Sequence, residues 1–250
     1  MTNIALITGG SRGLGRSMAQ HLARSGLDVI FTYQSRSEDA QALVRELEAL
    51  GRRAAALPLD VSEAGSFRTF AGQVRGVLQG WDEDQLYDLV NNAGIGLHAS
   101  FEQTTAEQLD RLYAIHVKGP YLLTQALLPL VQDGGRILNV STGLTRFALP
   151  GHAAYATMKG AVETLTKYLA LELGARRISV NVLAPGAIET DFGGGAVRDN
   201  EQVNRMIAGN TALGRAGLPD DIGSVVAALL SPGTAWINAQ RIEASGGQNL

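Results

Sequence analysis

Two side chains stand at a spacing suited to proton transfer, and a third could assist them. Tyr155 and Lys159 are four residues apart, and Ser141 lies fourteen residues before Tyr155. Residues at i and i+4 share one face of a helix, so the phenol and the ammonium would lie side by side. A nearby ammonium favours the phenolate and lowers the pKa of a phenol from its usual value of about 10. The pair could therefore exchange a proton with a substrate oxygen, while Ser141 donates a hydrogen bond that orients that oxygen.

A glycine-rich turn, residues 8–15 with the sequence Thr-Gly-Gly-Ser-Arg-Gly-Leu-Gly, follows the first apolar run of the chain. Between a strand and a helix, such a turn presents backbone N–H groups and the positive end of the helix dipole to a pyrophosphate. Gly9 would allow the tight turn, Gly13 the close approach of the phosphate and Gly15 the close packing of the helix. With the Tyr–Lys pair downstream, this turn indicates hydride transfer between a nicotinamide dinucleotide and an alcohol or ketone.

Strand-like and helix-like patterns alternate along the whole chain. Repeated βαβ units predict an α/β fold with a doubly wound parallel sheet of the Rossmann type. No linker or composition break interrupts the pattern, so residues 1–250 should form a single domain. The predicted strands are 4–8, 29–33, 54–59, 86–91, 136–141, 178–183 and 240–244, and the predicted helices are 14–25, 37–50, 63–79, 105–131, 153–174 and 219–230.

The one irregular region is the segment 184–211, which follows the sixth predicted strand. It begins with Pro185 and Gly186 and contains three consecutive glycines at 193–195. Ligands bind at the carboxyl ends of the strands in sheets of this kind, so the segment is a candidate substrate lid. A flexible surface loop is the alternative.

Composition excludes several classes of function. The chain has 250 residues, a net charge of −3 and no cysteine. We therefore expect no nucleic-acid partner, no disulfide and no cysteine-ligated metal. The four histidines lack the spacing of a zinc motif, so no metal is expected. Met1 leads almost directly into a strand, and the most apolar helix is too short to cross a bilayer, so we expect a cytoplasmic protein that does not enter a membrane.

Further motifs occur in the same order and at compatible spacings. With them, the chain resembles the short-chain dehydrogenase/reductase family in its short single-domain branch, and is similar there to carbonyl reductases and 3-oxoacyl reductases. The resemblance covers essentially the whole chain. Besides the glycine turn, it depends on Asp60-Val61, Asn91-Asn92-Ala93-Gly94, Ser141, Tyr155-Ala156-Thr157-Met158-Lys159 and Pro185-Gly186.

The resemblance implies that Ser141, Tyr155 and Lys159 are catalytic and that Lys159 also reaches the nicotinamide ribose. His116 is a departure. The family usually carries an asparagine at this point, where it helps to hold a water that links the lysine to solvent. An imidazole could anchor the same water and relay protons itself, since its usual pKa is about 6.5. The alternative is a hydrogen-bonded packing histidine, and both interpretations stay open.

The resemblance also implies a set of cofactor-binding residues. Asp60 and Val61 would hold the adenine, the Asn-Asn-Ala-Gly segment would line the cofactor cleft, and the segment from Pro185 would contact the nicotinamide end. The full predicted set is Gly9, Ser11, Arg12, Gly13, Leu14, Gly15, Tyr33, Ser35, Asp60, Val61, Asn91, Ala93, Gly94, Tyr155, Lys159, Pro185, Gly186, Ile188 and Thr190.

The choice between the two nicotinamide cofactors should depend on the end of the second strand. An acid there would bind the adenosine ribose and repel a 2′-phosphate, but Tyr33 occupies the position and no carboxylate appears before Glu38. Arg12 adds a guanidinium that could grip a phosphate. We therefore predict a preference for NADP(H), with NAD(H) use left open. The alternative is that Arg12 and Arg36 are merely solvated.

These inferences favour an NADP(H)-dependent carbonyl reductase or alcohol dehydrogenase acting on a ketone or secondary alcohol, with a 3-oxoacyl reductase as one form of this activity. Arg146, Arg198 and Arg205 could meet an acyl-carrier phosphopantetheine or could be solvated. A catalytically idle NADP-binding sensor or scaffold protein is the alternative. In relatives, the two long helices form subunit interfaces, so the resemblance implies a homotetramer, or at least a dimer.

Overall fold

The computed structural model describes residues 3–250; Met1, which entered the argument against a signal peptide, lies outside the described residues. A seven-stranded parallel sheet with the order β3-β2-β1-β4-β5-β6-β7 forms its centre. The chain leaves β1 on one side towards β2 and returns to its other side with β4, which makes the carboxyl ends of β1 and β4 the topological switch point where ligands bind. The strands are β1 (Ile4–Ile7), β2 (Asp28–Tyr33), β3 (Ala54–Pro58), β4 (Leu86–Asn91), β5 (Val131–Val140), β6 (Ser179–Pro185) and β7 (Arg241–Ala244).

Helices cover both faces of this sheet. Along β1, Ile4 and Leu6 pack into one hydrophobic cluster, and Ala5 and Ile7 pack into the other. Successive side chains of a strand point to opposite faces, so a strand covered on both sides must be apolar throughout. This confirms the doubly wound α/β fold. The helices are α1 (Gly13–Arg24), α2 (Ser37–Ala49), α3 (Phe67–Gly80), α4 (Ala106–Tyr113), α5 (Gly119–Leu127), α6 (Ala153–Glu172), α7 (Ala196–Asp199), α8 (Glu201–Gly209) and α9 (Pro219–Leu229).

The single helix predicted over 105–131 is wrong in two respects. The helix α5 ends at Leu127 and Val131 already begins β5, and α4 and α5 are joined by a π-helical turn, Ala114–Lys118. Pro120 has no N–H to donate to the carbonyl four residues earlier, which belongs to His116. In the turn itself, the N–H of Gly119 bonds to the carbonyl of Ala114, which lies five residues earlier, as in a π-helix. π-turns of this kind are frequent at functional sites, and this one places His116 in the protein interior.

The segment 184–211 is more regular than its sequence indicates. The strand β6 continues through Pro185, and α7 and α8 occupy much of the second half. Asn200 begins α8 by accepting hydrogen bonds from the backbone N–H groups of Gln202 and Val203, a preferred capping arrangement. Irregular backbone is concentrated at Gly193, Gly194 and Gly195, all of which have a left-handed φ. None of the helices among residues 3–250 has the length and apolar character needed to cross a membrane.

Candidate active site

The glycine turn between β1 and α1 is built for close approach. Gly9 and Gly13 have φ values of +66° and +54°, which side chains disfavour. A Cβ on Gly9 would lie 3.0 Å from the Cα of Ala93, and a Cβ on Gly15 would collide with the carbonyl of Gly9 and lie 2.7 Å from the side-chain nitrogen of Asn92. The turn therefore packs directly on the segment that follows β4, with no room for side chains between them.

Two residues of the quoted motifs, Thr8 and Asn92, were given no role of their own, and they hold this turn in place. The hydroxyl of Thr8 accepts hydrogen bonds from the N–H groups of Asn92 and Ala93, each at 3.0 Å. Asn92 donates its side-chain amide to the carbonyls of Thr8 and Gly9 at 2.9 and 3.2 Å. The ends of β1 and β4 are thus tied across the switch point. The Asn91-Asn92 motif in the sequence indicated a functional asparagine after β4, but only the structure shows that the two asparagines have different contacts.

The amino end of α1 fits a phosphate. The first N–H groups of a helix have no partner inside it, and the helix dipole makes that end positive. Within the described residues, no side chain caps α1 and its first turn holds no acid. Gly13, Leu14 and Gly15 form that first turn, after Ser11 and Arg12, so the predicted phosphate-binding residues lie at an electrostatically open helix end.

The adenine-side candidates lie at the end of β3. Asp60 accepts hydrogen bonds from the backbone and hydroxyl of Ser62 at 2.8 and 2.6 Å, and from the side-chain amide of Gln34 at 2.6 Å. Burial alone would raise the pKa of Asp60, but these hydrogen bonds outweigh it and lower the pKa. Val61 follows directly and packs against the hydrophobic cluster. An anchored carboxylate with a fixed neighbour can recognise a base or ribose edge.

Asn91 differs from its implied role. Its side-chain nitrogen donates to Thr124 at 3.0 Å and to Asn139 at 2.8 Å, inside the protein. It therefore links β4 to α5 and β5, whereas Ala93 and Gly94 are the members of the motif that lie against the glycine turn and His116, respectively.

The segment after β6 lies over the glycine turn. Thr190 is buried and its Cβ lies 3.6 Å from where a side chain on Gly13 would begin. A Cβ on Gly186 would lie 2.8 Å from that of Ser245, so this position also needs glycine. Pro185, Gly186, Ile188 and Thr190 therefore run as one strip from the end of β6 to the amino end of α1.

The residues predicted to face the adenosine end of a dinucleotide are mostly exposed and include two arginines. The side chains of Arg12 and Arg36 are each more than half exposed. Ser35 is exposed and Tyr33 partly buried beside them. Both guanidinium groups approach the carboxylate of Asp191, at 3.9 Å from Arg12 and 4.0 Å from Arg36.

One face of α6 runs along β5 and carries the candidate catalytic residues. Thr166 accepts a hydrogen bond from Asn139 at 2.9 Å, and the ammonium of Lys159 donates to the carbonyl of Val140 at 2.7 Å. Tyr155 comes one turn earlier and is buried. The i, i+4 spacing thus places Tyr155 and Lys159 together at the carboxyl end of β5.

Burial shifts the pKa values of Tyr155 and Lys159. The shift at Tyr155 is opposite to the one expected from a neighbouring ammonium. Burial raises the pKa of Tyr155 above its usual value, although a hydrogen bond with the Thr142 side chain acts against this rise. Burial also lowers the pKa of Lys159 to about 8. The Lys159 nitrogen lies 5.8 Å from the centre of the Tyr155 ring and is directed at a carbonyl. Burial therefore opposes the lowering of the phenol pKa that the neighbouring lysine was expected to cause.

The hydroxyl of Ser141 faces a carboxylate and not the phenol. It donates to Glu163 at 2.7 Å, and Thr145 donates to the same oxygen at 2.6 Å. Arg241 also contacts this oxygen at 3.0 Å. The neighbouring residue, Thr142, has the side chain that reaches Tyr155. Sequence spacing could not separate adjacent hydroxyls, because their roles depend on which way each one points at the strand end.

The Glu163 contacts continue into a network of ionic and hydrogen bonds. Arg241 bonds to Glu243 at 2.9 Å, and Arg146 bonds to Glu243 at 2.7 Å. Arg146 also donates to the carbonyls of Gln248 and Asn249. Arg146 lies at the surface, but its guanidinium is occupied by these contacts within the chain.

His116 lies in the π-turn with one ring nitrogen engaged. Its Nε2 atom is 2.8 Å from the carbonyl of Ile95, while Nδ1 is buried without a described partner. Burial, followed by the nearby charge of Lys159, lowers its pKa to about 3. A neutral ring with Nε2–H donating leaves Nδ1 as a hydrogen-bond acceptor. The ring also meets Tyr155 edge-on at 5.3 Å.

Aromatic and apolar side chains surround the phenol. Phe192, in the segment after β6, lies 5.9 Å from Tyr155 between ring centres. Ile95, Leu97 and Leu144 pack on the same small hydrophobic cluster. The surroundings of the Tyr155 phenol are therefore largely apolar and aromatic.

A family model described as enoyl-(acyl carrier protein) reductase matches residues 9–249. Among curated proteins, the chain is 37% identical to an uncharacterized oxidoreductase of Methylorubrum extorquens, over 98% of this chain and 96% of that protein. It is 32% identical to a trihydroxynaphthalene reductase of Colletotrichum orbiculare, over 98% of this chain and 89% of the relative.

Solved structures agree with these matches. The reductase LugOII, which catalyses keto-reduction at C1 during lugdunomycin biosynthesis, is 39% identical with a TM-score of 0.93, covering 99% of this chain and 98% of its own. The angucycline C-6 ketoreductase LanV with bound NADP is 35% identical with a TM-score of 0.93, covering 99% of this chain and 95% of its own.

Proposed function

The chain belongs to the short-chain dehydrogenase/reductase family, and from this premise we propose that it is an NADP(H)-dependent ketoreductase. It interconverts a ketone and a secondary alcohol. The observation that carries the proposal is the placement of two buried groups, the phenol of Tyr155 and the ammonium of Lys159, on one face of α6. They lie at the carboxyl edge of the parallel sheet, the same edge from which α1 begins.

The cofactor proposal depends on the cleft and on the relatives. The amino end of α1 would receive the pyrophosphate, Asp60 the adenosine side, and the strip from Pro185 to Thr190 the nicotinamide side. Arg12 and Arg36 would receive the 2′-phosphate that distinguishes NADP(H) from NAD(H), which agrees with the NADP bound in LanV. When bound, the nicotinamide supplies the hydride in reduction and accepts it in oxidation.

Tyr155 is the proton donor for reduction. Its raised pKa keeps the phenol protonated at neutral pH, which suits an acid that protonates an alkoxide as it forms. The resulting phenolate needs a positive charge, and Lys159 is the nearby cation on the same helix face. Its pKa of about 8 leaves it mostly protonated at neutral pH.

We assign the hydroxyl that orients the substrate oxygen to Thr142, in place of the predicted Ser141. The Ser141 hydroxyl is buried and already donates to Glu163, and a charged acceptor holds a donor strongly. Thr142 has its side chain at the phenol. Ser141 then has a positioning role, since it fixes the strand end from which Thr142 projects.

His116 acts as a neutral acceptor. Its depressed pKa opposes a cycle through the imidazolium, so it does not itself carry the proton. The buried Nδ1 atom can hold a water of the kind that asparagine helps to hold in the family.

The substrate class that fits best is a ketone on a fused ring system, such as a hydroxynaphthalene derivative. Phe192 and Tyr155 form an aromatic wall, and Ile95, Leu97 and Leu144 add apolar surface. Flat rings stack or pack edge-on against such walls. The name of the trihydroxynaphthalene reductase relative supports the same class.

The segment around Phe192 serves as the lid of the proposed substrate site.

The chain assembles as a homotetramer or dimer. Tyr113 and Tyr121 are about half exposed, and Tyr168 and Leu171 are more exposed still. Large apolar groups clustered on the surface are typical of interfaces. Leu127, by contrast, is fully buried and belongs to the core.

The direct test is NADPH oxidation over a panel of ketones, from open-chain ketones to fused-ring ketones, with Tyr155→Phe as the matched variant. We expect turnover with the ring ketones and a loss of at least about 10²-fold in Tyr155→Phe, with NADPH binding retained. Turnover by Tyr155→Phe at the wild-type rate would overturn the assignment of the acid. NADPH binding without turnover on any ketone would favour an idle NADP-binding protein.

A further inference from the structure

Asp191 is the meeting point of three arginines from different parts of the chain. Its Oδ2 atom lies 3.9 Å from Arg12, in the glycine turn, and 4.0 Å from Arg36, after β2. Its Oδ1 atom accepts a hydrogen bond from Arg198 at 2.5 Å. These contacts, with the Arg198 hydrogen bond the strongest, lower the pKa of Asp191 and keep it anionic at neutral pH.

The two outer contacts join the lid to the adenosine side of the cleft. Arg12 and Arg36 come from separate turns, yet both direct a guanidinium nitrogen at one oxygen of Asp191. Two cations that converge on one anionic oxygen form the arrangement that binds a phosphate. In this structure the carboxylate of Asp191 lies at that position.

These ion pairs are weak enough to exchange. Both exceed hydrogen-bonding distance, and the three side chains are between 37% and 57% exposed. Exposed pairs of this kind typically contribute about 0.2 to 1 kcal/mol each. Arg36 also lies 3.7 Å from Asp39, so it has a second partner available. A phosphate carrying up to two negative charges would compete effectively for both guanidinium groups.

Two glycines beside Asp191 leave the backbone there with few steric restraints. Gly193 and Gly194 have left-handed φ values of +61° and +78°, and a Cβ on either would meet nothing within 4 Å. Phe192, which faces Tyr155, lies between Asp191 and these glycines. A change in the contacts of Asp191 would therefore be transmitted to the lid residue nearest the phenol.

We propose that Asp191 is an internal competitor for the 2′-phosphate of NADP(H), a residue that tunes cofactor selectivity and couples it to the lid. The phosphate would take Arg12 and Arg36 from Asp191 and free this end of the lid. NAD(H), which has no 2′-phosphate, would leave the contacts in place. This inference rests on the proposed function for the identity of the cofactor.

The test uses calorimetric binding of 2′,5′-ADP and of 5′-ADP, which differ only in the 2′-phosphate, to wild type, Asp191→Asn and Asp199→Asn. Asp199 is the matched control, because it pairs with Arg198 in the same segment but not with Arg12 or Arg36. Losing two exposed competing pairs corresponds to roughly 2- to 30-fold in affinity, and we expect Asp191→Asn to bind 2′,5′-ADP about 5-fold more tightly. Affinity for 5′-ADP should be unchanged, and Asp199→Asn should match wild type for both ligands.

The opposite results are equally decisive. If Asp191→Asn binds 2′,5′-ADP no more tightly than wild type, or gains equally for 5′-ADP, the inference is wrong. Hydrogen exchange in the segment 190–200 tests the coupling: 2′,5′-ADP should accelerate exchange in wild type, and slower or unchanged exchange would contradict it. Equal wild-type affinity for the two ligands would instead overturn the NADP(H) preference in the proposed function. None of these measurements requires turnover.

Discussion

Replacing Thr142 by valine should separate the two neighbouring hydroxyls at the end of β5. Valine keeps the branched shape that suits the extended backbone at Thr142, with φ −158° and ψ 156°, and removes only the hydroxyl. Removing a donor aimed at a developing oxyanion typically lowers kcat by about 10² to 10³. We expect Thr142→Val to fall in that range and Thr142→Ser to recover most of the activity.

Ser141→Ala should behave differently, because Glu163 keeps hydrogen bonds from Thr145 and Arg241. Its expected cost is about 1 kcal/mol of unfolding free energy, with less than about a tenfold fall in kcat. Steady-state kinetics with NADPH and a ring ketone, together with urea unfolding, measure both quantities. A hundredfold loss in Ser141→Ala alongside near-normal Thr142→Val would refute the assignment and restore Ser141 as the orienting hydroxyl.

Two more predictions concern buried groups. Burial raises the pKa of Asp88 to about 8, with Arg136 acting against the rise, so the folded chain holds a proton that the unfolded chain has lost. Its stability should therefore fall as pH rises from about 4 to about 8, by up to about 1.4 kcal/mol per pH unit; Asp88→Asn should flatten this slope in urea unfolding, and an unchanged slope would show that Asp88 titrates normally. For His116, whose pKa of about 3 keeps it neutral, His116→Asn should leave the pH profile of kcat between pH 5 and 8 unchanged, whereas His116→Ala should lose about 1–3 kcal/mol of stability by leaving the Ile95 carbonyl unpaired. A limb near pH 6.5 that disappears in His116→Asn would show that the imidazole does carry the proton.

Local patterns predicted most of the sheet. The bounds of β4 match the prediction, and most other strands differ by a residue or two at their ends. Short apolar runs covered by helices leave little freedom in where a strand lies. The strand β5 is the exception, since it begins at Val131, five residues before the predicted start, and passes through Gly134 and Gly135. Glycines weaken a strand pattern in sequence but are tolerated where the backbone bends.

Side-chain direction was harder to predict than element position. The spacing to Tyr155 favoured Ser141 as the orienting hydroxyl. In the structure, Glu163, one turn beyond Lys159, accepts a hydrogen bond from that hydroxyl. This carboxylate has no motif of its own and acts through tertiary contacts. The π-turn at His116 was missed for a related reason, because Pro120 indicates an interruption in the helix but not its form.

A continuous network of ion pairs and hydrogen bonds links Ser141 to the last residues of the chain. The network runs through Glu163, Arg241, Glu243 and Arg146. It connects the carboxyl end of β5, at the proposed reaction centre, to the carbonyls of Gln248 and Asn249. We therefore expect substitutions at Gln248 or Asn249 to alter the position of the carboxyl end of β5, although both residues lie far from Ser141 in the sequence. Engineering of this enzyme for new ketones has a remote handle there, one that leaves the pocket walls untouched.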